Sequence, residues 1–78
     1  MNVIVYGRVE PACPYCDRAK HELTRRGLPF EFKDVMTDLD ARREFKALFK
    51  EGDKQTVPQI VIDGEHIGGC DDLIKKVH

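Results

Sequence analysis

Two cysteines, Cys13 and Cys16, lie three positions apart between a strand-like run and a helix-like run. A Cys-x-x-Cys at such a junction is typical of dithiol redox chemistry. Pro14 is favoured at the first position of a helix, so Cys13 is the predicted N-cap, and the free amides of Tyr15 and Cys16 point toward its sulfur. Because these amides and the helix dipole favour a thiolate, we expect Cys13 to be the nucleophile.

Cys16 lies about one turn further along the predicted helix, on the face that also carries Ala19 and Leu23. An apolar setting disfavours a charged sulfur. We therefore expect Cys16 to resolve the mixed disulfide that forms at Cys13.

The motif also has two other interpretations, because a Cys-x-x-Cys can be half of a zinc site and cysteines can be buried as small apolar residues. A structural zinc site needs four ligands. The remaining candidates include no second Cys-x-x-Cys and no His-x-x-x-His pair; they are Cys70, His21, His66 and His78. The sequence therefore favours redox chemistry, and we predict no metal.

Size and charge restrict the other possibilities. The chain has 78 residues, a net charge of -1 and 35% charged residues. We expect residues 1–78 to form a single domain with a mixed surface, and the lack of a long basic run argues against nucleic acid or a membrane as partner. Residues 1–6 do not resemble a secretory signal or a membrane span, and three cysteines fit a catalytic pair plus one spare thiol. We therefore expect a reducing, cytoplasmic environment.

The apolar pattern predicts the elements that position the thiols. Residues 3–6 form a continuous β-prone run, as expected of a central strand, and a helix follows over residues 14–26 with Gly27 after its end. Residues 30–35 alternate as a half-buried strand that the intervening helix should place parallel to the first. A second helix is predicted from about residue 39 to residue 50, with Asp38 or Asp40 as its cap and with Phe45 and Phe49 in the core.

The C-terminal half predicts an antiparallel pair and a last helix. Asp63-Gly64 is a hairpin signal between strands at residues 59–62 and 65–67. Gly68-Gly69 then breaks the chain before a short helix over residues 71–77. The complete order is β-α-β-α-β-β-α, an α/β fold with a four-stranded mixed sheet packed against helices.

Three motifs occur in order on these elements: Cys-Pro-Tyr-Cys at 13–16, Thr-Val-Pro at 56–58 and Gly-Gly-Cys-Asp-Asp at 68–72. With this combination the chain resembles the glutaredoxins over nearly its whole length. The resemblance implies a thioredoxin-like fold and glutathione-dependent reduction of protein disulfides and glutathione mixed disulfides, with ribonucleotide reductase a frequent recipient in the family. It also implies a monomer that uses glutathione as a co-substrate and has no permanently bound cofactor.

The resemblance also assigns roles to residues. Cys13 would attack and Cys16 would resolve, while the glutathione-binding residues would be Tyr15, Thr56, Val57, Pro58, Gly69, Cys70 and Asp71. Val57 would offer main-chain groups as if extending a strand, and Pro58 would follow a cis peptide bond. The γ-glutamyl end would meet the free amides of a helix N-terminus and the carboxylate of Asp71. The alternative is that Gly68-Gly69 is only a turn and that Asp71 and Asp72 only cap the helix.

One position departs from the family pattern. Many glutaredoxins have a Lys three residues before the first cysteine, whereas this chain has Glu10 there and its nearest basic residue at Arg8. Arg8 could fold back to serve the thiolate or the glycyl carboxylate of glutathione, with Lys54 or Gln55 helping. The family also offers a second function, a scaffold in which two subunits and two glutathiones hold an iron-sulfur cluster; Pro14 and Tyr15 argue against it, because cluster-binding members commonly have smaller residues there.

Overall fold

A computed structural model describes residues 1–77 of the chain. Its elements follow one another as β1 (Val3–Gly7), α1 (Pro14–Arg25), β2 (Glu31–Asp34), α2 (Leu39–Lys46), β3 (Gln59–Ile62), β4 (Glu65–Gly68) and α3 (Cys70–Val77). The order β-α-β-α-β-β-α predicted from the sequence is confirmed.

The four strands form one mixed sheet in the order β2-β1-β3-β4. Strand β1 pairs in parallel with β2 and antiparallel with β3, so Val5 lies between Phe32 on one side and Ile60 on the other. Strands β3 and β4 are antiparallel. The continuous apolar run of β1 is explained by this central position, because both of its faces are covered.

Helices cover the two faces of the sheet. The larger apolar cluster joins β1 and β3 to α1 and α3, and its buried members are Val3, Val5, Ala19, Leu23, Ile60, Ile62, Cys70 and Leu73. The smaller cluster lies on the opposite face, beneath α2, and its buried members are Tyr6, Val35, Phe45 and Val61. Alternate residues of β1 and β3 contribute to the two clusters, as the twofold periodicity of a strand requires.

The second helix is shorter than the sequence predicts. It ends at Lys46 rather than at residue 50, and the Phe49 amide bonds to the carbonyl of Lys46, only three residues back, at 3.2 Å. The amide of Lys50 donates to the Asp53 carboxylate at 2.8 Å, which gives this amide a partner outside the helix. Phe49 nevertheless packs against the smaller cluster, as its spacing from Phe45 predicted.

The other predicted elements agree with the structure to within one residue at each end. Asp38 is the residue that caps α2, because its carboxylate accepts the Ala41 amide at 3.1 Å. Asp63 and Gly64 have φ values of 50° and 83°, the left-handed conformation that a tight hairpin needs. Across residues 1–77, no helix combines the length and apolar character required to cross a membrane.

Candidate active site

Cys13 and Cys16 occupy the N-terminus of α1 as predicted. Cys13 is the N-cap, with φ −130° and ψ 96°, and its sulfur accepts the Cys16 amide at 3.2 Å. Pro14 takes the first helical position, where a missing amide proton costs nothing. The two cysteines are joined by a disulfide with a Cα to Cα distance of 5.2 Å. This separation lies within the range that a disulfide requires.

The two sulfur-bearing residues differ in exposure. Cys13 has 4% of its surface exposed to solvent, whereas Cys16 is fully buried on the α1 face that carries Ala19 and Leu23. The apolar setting predicted for Cys16 is therefore confirmed. Cys13 is the outer member of the pair.

Gly7, the last residue of β1, touches the inner side of the disulfide. A Cβ at this position would lie 2.9 Å from the Cys16 sulfur and 2.9 Å from Cε1 of Phe32. Only glycine permits such a close approach of the strand to the sulfur. This role of Gly7 was not predicted from the sequence, although a glycine directly after an apolar strand and before the cysteines was a signal for it.

Arg8 folds back over the loop that precedes Cys13. Its Nε donates to the carbonyl of Pro11 at 2.9 Å and its Nη2 to the carbonyl of Ala12 at 3.5 Å. The guanidinium therefore holds the backbone immediately before the first thiol. Its expected role toward the thiolate or a ligand stays a prediction.

A groove of about 370 Å³, which we call the first groove, adjoins the cysteine motif through Tyr15. It is lined by Tyr15, Thr56, Val57, Pro58, Gly69, Cys70, Asp71 and Asp72. All seven residues expected to bind glutathione are thus brought together, and Asp72 joins them. The peptide bond between Val57 and Pro58 is cis, as expected from the resemblance.

The two aspartates at the start of α3 have different surroundings. Oδ2 of Asp72 accepts the Gly69 amide at 3.1 Å, while the Gly69 carbonyl accepts the Leu73 amide at 3.0 Å. Asp72 therefore caps the helix, which is half of a capping box. Asp71 is exposed and lines the first groove, so its carboxylate can meet a ligand.

Cys70 is a free thiol whose side chain belongs to the larger apolar cluster. Burial raises the pKa of Cys70, which keeps the thiol protonated at neutral pH. A protonated, buried thiol is a poor nucleophile. What Cys70 offers the first groove is therefore its backbone.

A second groove of about 390 Å³ begins where the first ends, because both are lined by Thr56 and Val57. Its other lining residues are Arg8, Val35, Met36, Arg42, Phe45, Lys46 and Gln55. Two of the three additional candidates, Arg8 and Gln55, thus lie on it, whereas Lys54 is absent from the described linings of both grooves. Arg42 and Lys46 were not predicted as site residues, although two cations four residues apart share a helix face.

No group of three or more His, Cys, Asp or Glu side chains within residues 1–77 could hold a metal ion. His78, one of the candidate zinc ligands, lies outside the described residues.

A family model for glutaredoxins matches residues 3–67. The chain belongs to the glutaredoxin family. Glutaredoxin 3 of Escherichia coli strain K12 is 43% identical over 72 residues, which cover 92% of this chain and 81% of that protein. Glutaredoxin 1 of Rickettsia prowazekii strain Madrid E is 45% identical over 72 residues, which cover 92% of this chain and 73% of that protein.

Solved structures agree with this membership. The crystal structure of a buckwheat glutaredoxin-glutathione complex superposes with a TM-score of 0.78 at 29% identity, covering 96% of this chain and 66% of that one. The fold of this glutaredoxin is thioredoxin-like. As a glutaredoxin whose Cys13 and Cys16 form a disulfide, the chain is a thiol-disulfide oxidoreductase.

Proposed function

We propose that this glutaredoxin is a glutathione-dependent oxidoreductase that reduces protein disulfides and glutathione mixed disulfides. The observation that carries the proposal is the first groove, in which Tyr15 of the cysteine motif, the segment around cis Pro58 and the start of α3 meet. The similar buckwheat protein, crystallised as a complex with glutathione, supports the same ligand class. Ribonucleotide reductase, the recipient that the family resemblance implies, belongs to this proposed class of substrates.

On a protein disulfide, the Cys13 thiolate attacks one substrate sulfur and forms a mixed disulfide, and the other substrate sulfur leaves as a thiolate that takes up a proton. Cys16 then loses its proton and attacks the Cys13 sulfur, which releases the second substrate thiol. Two electrons pass to the substrate. At the end of this reaction Cys13 is bonded to Cys16, and this oxidised state is the one in the structure.

Glutathione restores the dithiol in two further exchanges. One glutathione thiolate attacks the sulfur of Cys13 and releases Cys16, and a second glutathione removes the first as glutathione disulfide. A glutathionylated substrate enters this route directly, because Cys13 takes the glutathione from it. The route uses glutathione as a co-substrate and needs no bound cofactor.

The first groove offers partners for the γ-glutamyl and cysteinyl units of glutathione. The exposed Asp71 carboxylate can pair with the γ-glutamyl ammonium, and the amides of Cys70 and Asp71 at the start of α3 can meet its carboxylate. The Gly69 amide is occupied by Asp72, so Gly69 contributes space rather than a hydrogen bond. Next to the γ-glutamyl unit, the main-chain groups of Val57 can pair with the cysteinyl unit.

The glycyl carboxylate would lie where the two grooves meet. Arg8 and Gln55 line the second groove, and Arg8 supplies a positive charge for this carboxylate. Lys54 neighbours Gln55 in the sequence but lines neither groove, so its part in binding glutathione stays a prediction. Thr56 and Val57 belong to both linings and join the two ends of the site.

The test compares Cys13→Ser and Cys16→Ser on two substrates. Cys13→Ser should lose every redox activity, because a hydroxyl supplies no comparable anion at neutral pH. Cys16→Ser should keep turnover of a glutathione mixed disulfide, measured with glutathione and glutathione reductase. The same variant should lose most reduction of an intramolecular protein disulfide, because escape from that mixed disulfide depends on the neighbouring thiol.

Two results would contradict the proposal. Turnover that thioredoxin reductase supports and glutathione does not would remove glutathione as the reductant. Equal loss of both activities in Cys16→Ser, with the variant folded by circular dichroism, would show that the division of roles between Cys13 and Cys16 is wrong.

A further inference from the structure

The second groove extends beyond the residues that we assign to glutathione. Its floor is apolar and buried, formed by Val35 and Phe45, each 6% exposed. Met36 lies at its edge with 53% of its surface exposed. An exposed, flexible methionine beside an apolar floor suits a surface that adapts to another chain.

The same groove is positively charged. Among the described residues, three cations line it, Arg8, Arg42 and Lys46, and no carboxylate does. Within residues 1–77, none of these three cations takes part in an ion pair. The positive charge of the groove is therefore not neutralised by neighbouring side chains.

The acidic residues of α2 and of its N-cap have partners that do not line the second groove. Asp38 caps the helix, and Oδ1 of Asp40 lies 4.0 Å from Nη1 of Arg43. Oε1 of Glu44 accepts a hydrogen bond from Nζ of Lys33 at 2.7 Å. Helix α2 therefore has one surface that carries both acidic and basic side chains and another, formed by Arg42 and Lys46, that lines the groove with cations alone. An anionic ligand would meet Arg42 and Lys46 without competing with a carboxylate of the helix.

The second groove is also continuous with the first groove, which adjoins the cysteine motif through Tyr15. It shares Thr56 and Val57 with the first groove, and Arg8 joins its lining to the loop before Cys13. A chain bonded to Cys13 and leaving the first groove past Val57 would therefore run along α2. An occupant of the second groove and a sulfur at Cys13 can belong to one substrate.

We propose that the second groove binds an acidic segment of a protein substrate, with an apolar side chain on the floor of Val35 and Phe45 and carboxylates against Arg42 and Lys46. This inference rests on the proposed reduction of protein disulfides by Cys13. Complementary charge speeds encounter and selects among partners more than it adds affinity. The groove thus favours protein disulfides flanked by acidic and apolar residues.

The test uses two synthetic peptides that share one intramolecular disulfide and differ only in the flanking segment, Asp-Leu-Asp or Lys-Leu-Lys. Each is mixed with a stoichiometric amount of pre-reduced protein, and the second-order rate constant of disulfide reduction is followed without glutathione. We expect the acidic peptide to react about tenfold faster at low ionic strength. The difference should shrink as salt is added, because exposed charges are screened.

Lys46→Gln and Arg43→Gln provide matched variants. Both residues are exposed cations in the last turn of α2, so both variants change net charge and helix dipole alike, but only Lys46 lines the groove. Lys46→Gln should reduce the preference for the acidic peptide by about two- to fivefold. Arg43→Gln should leave it unchanged, and both variants should turn over a glutathione mixed disulfide at the wild-type rate.

Equal rates on the two peptides, or equal effects of the two variants, would overturn the inference. The proposed function is tested separately, because these single-turnover rates need no glutathione. A retained acidic preference without glutathione-supported turnover would leave the inference standing and remove the glutathione assignment. Turnover with glutathione but without peptide preference would do the reverse.

Discussion

At Gly7, the absence of a side chain decides how closely β1 approaches the inner sulfur. A methyl group there would lie 2.9 Å from both the Cys16 sulfur and the Phe32 ring, closer than side chains normally pack. Gly7→Ala should therefore displace Cys16 or Phe32 and lower the free energy of unfolding by about 1–3 kcal/mol, the usual cost of overpacking. Urea denaturation of the oxidised protein measures this loss.

Gly27→Ala is the control for this prediction. Gly27 has φ 70°, and a Cβ there would meet no heavy atom within 4 Å, so the substitution strains the backbone without crowding any neighbour. It should destabilise the protein by about 1–2 kcal/mol through the left-handed conformation. Only Gly7→Ala should also change the rate at which dithiothreitol reduces the disulfide; equal rates in the two variants would show that Gly7 does not act on Cys16.

At the scale of elements, the N-terminus of α3 separates capping from ligand binding. Asp71→Ala and Asp72→Ala each remove one acidic side chain from the first turn, so both weaken the interaction with the helix dipole. Asp72→Ala also removes the acceptor of the Gly69 amide and should lower the free energy of unfolding by a further ~0.5–1.5 kcal/mol. Asp71→Ala should instead raise KM for glutathione about tenfold or more with a similar kcat.

Denaturation and steady-state kinetics on the same two variants distinguish these effects. An unchanged KM in Asp71→Ala would return Asp71 to the status of a surface residue near a helix end. A loss of stability in Asp71→Ala as large as that in Asp72→Ala would mean that the two carboxylates share the capping role.

What the sequence predicts at this scale depends on how local the cause is. Cys13 caps α1 because Pro14 follows it, and the hairpin forms because Asp63-Gly64 accepts left-handed angles; both causes lie within a few residues. The predicted end of α2 was wrong because Asp53, which accepts the Lys50 amide, lies beyond the apolar pattern that predicted the helix. The second groove was missed because α2 and the loop of Arg8 meet only in the folded chain.

At the scale of the whole molecule, one polar cluster ties together three elements. The Tyr6 hydroxyl of β1 donates to Glu44 of α2 at 2.8 Å, and Lys33 of β2 donates to the same carboxylate oxygen at 2.7 Å. Burial, followed by the bond to Glu44, raises the pKa of Tyr6 to about 12. The bonds from Lys33 and then Tyr6 lower the pKa of Glu44. The cluster therefore links stability to pH at both ends of the scale.

The signs of the two effects are opposite. Glu44 binds a proton less readily in the folded chain, so its contribution is complete above the ordinary pKa of 4.5 and is lost as pH falls through the lower folded value. Tyr6 holds its proton more tightly when folded, so its contribution is complete below pH 10.0 and is lost as pH rises toward about 12. Lys33, whose pKa Glu44 raises, acts in the same direction as Tyr6.

We therefore expect the free energy of unfolding of the oxidised protein, measured in urea, to be higher at pH 7 than at pH 3 or pH 11. Glu44→Gln should reduce the difference in free energy of unfolding between pH 7 and pH 3. Part of this difference should remain, because the bond from Arg25 also lowers the pKa of Glu22. Tyr6→Phe should reduce the difference between pH 7 and pH 11, since the ring stays packed while the titrating hydroxyl is removed. If Tyr6→Phe kept the full alkaline loss, the loss would belong to other groups, such as Lys33, and the buried hydroxyl would have no part in it.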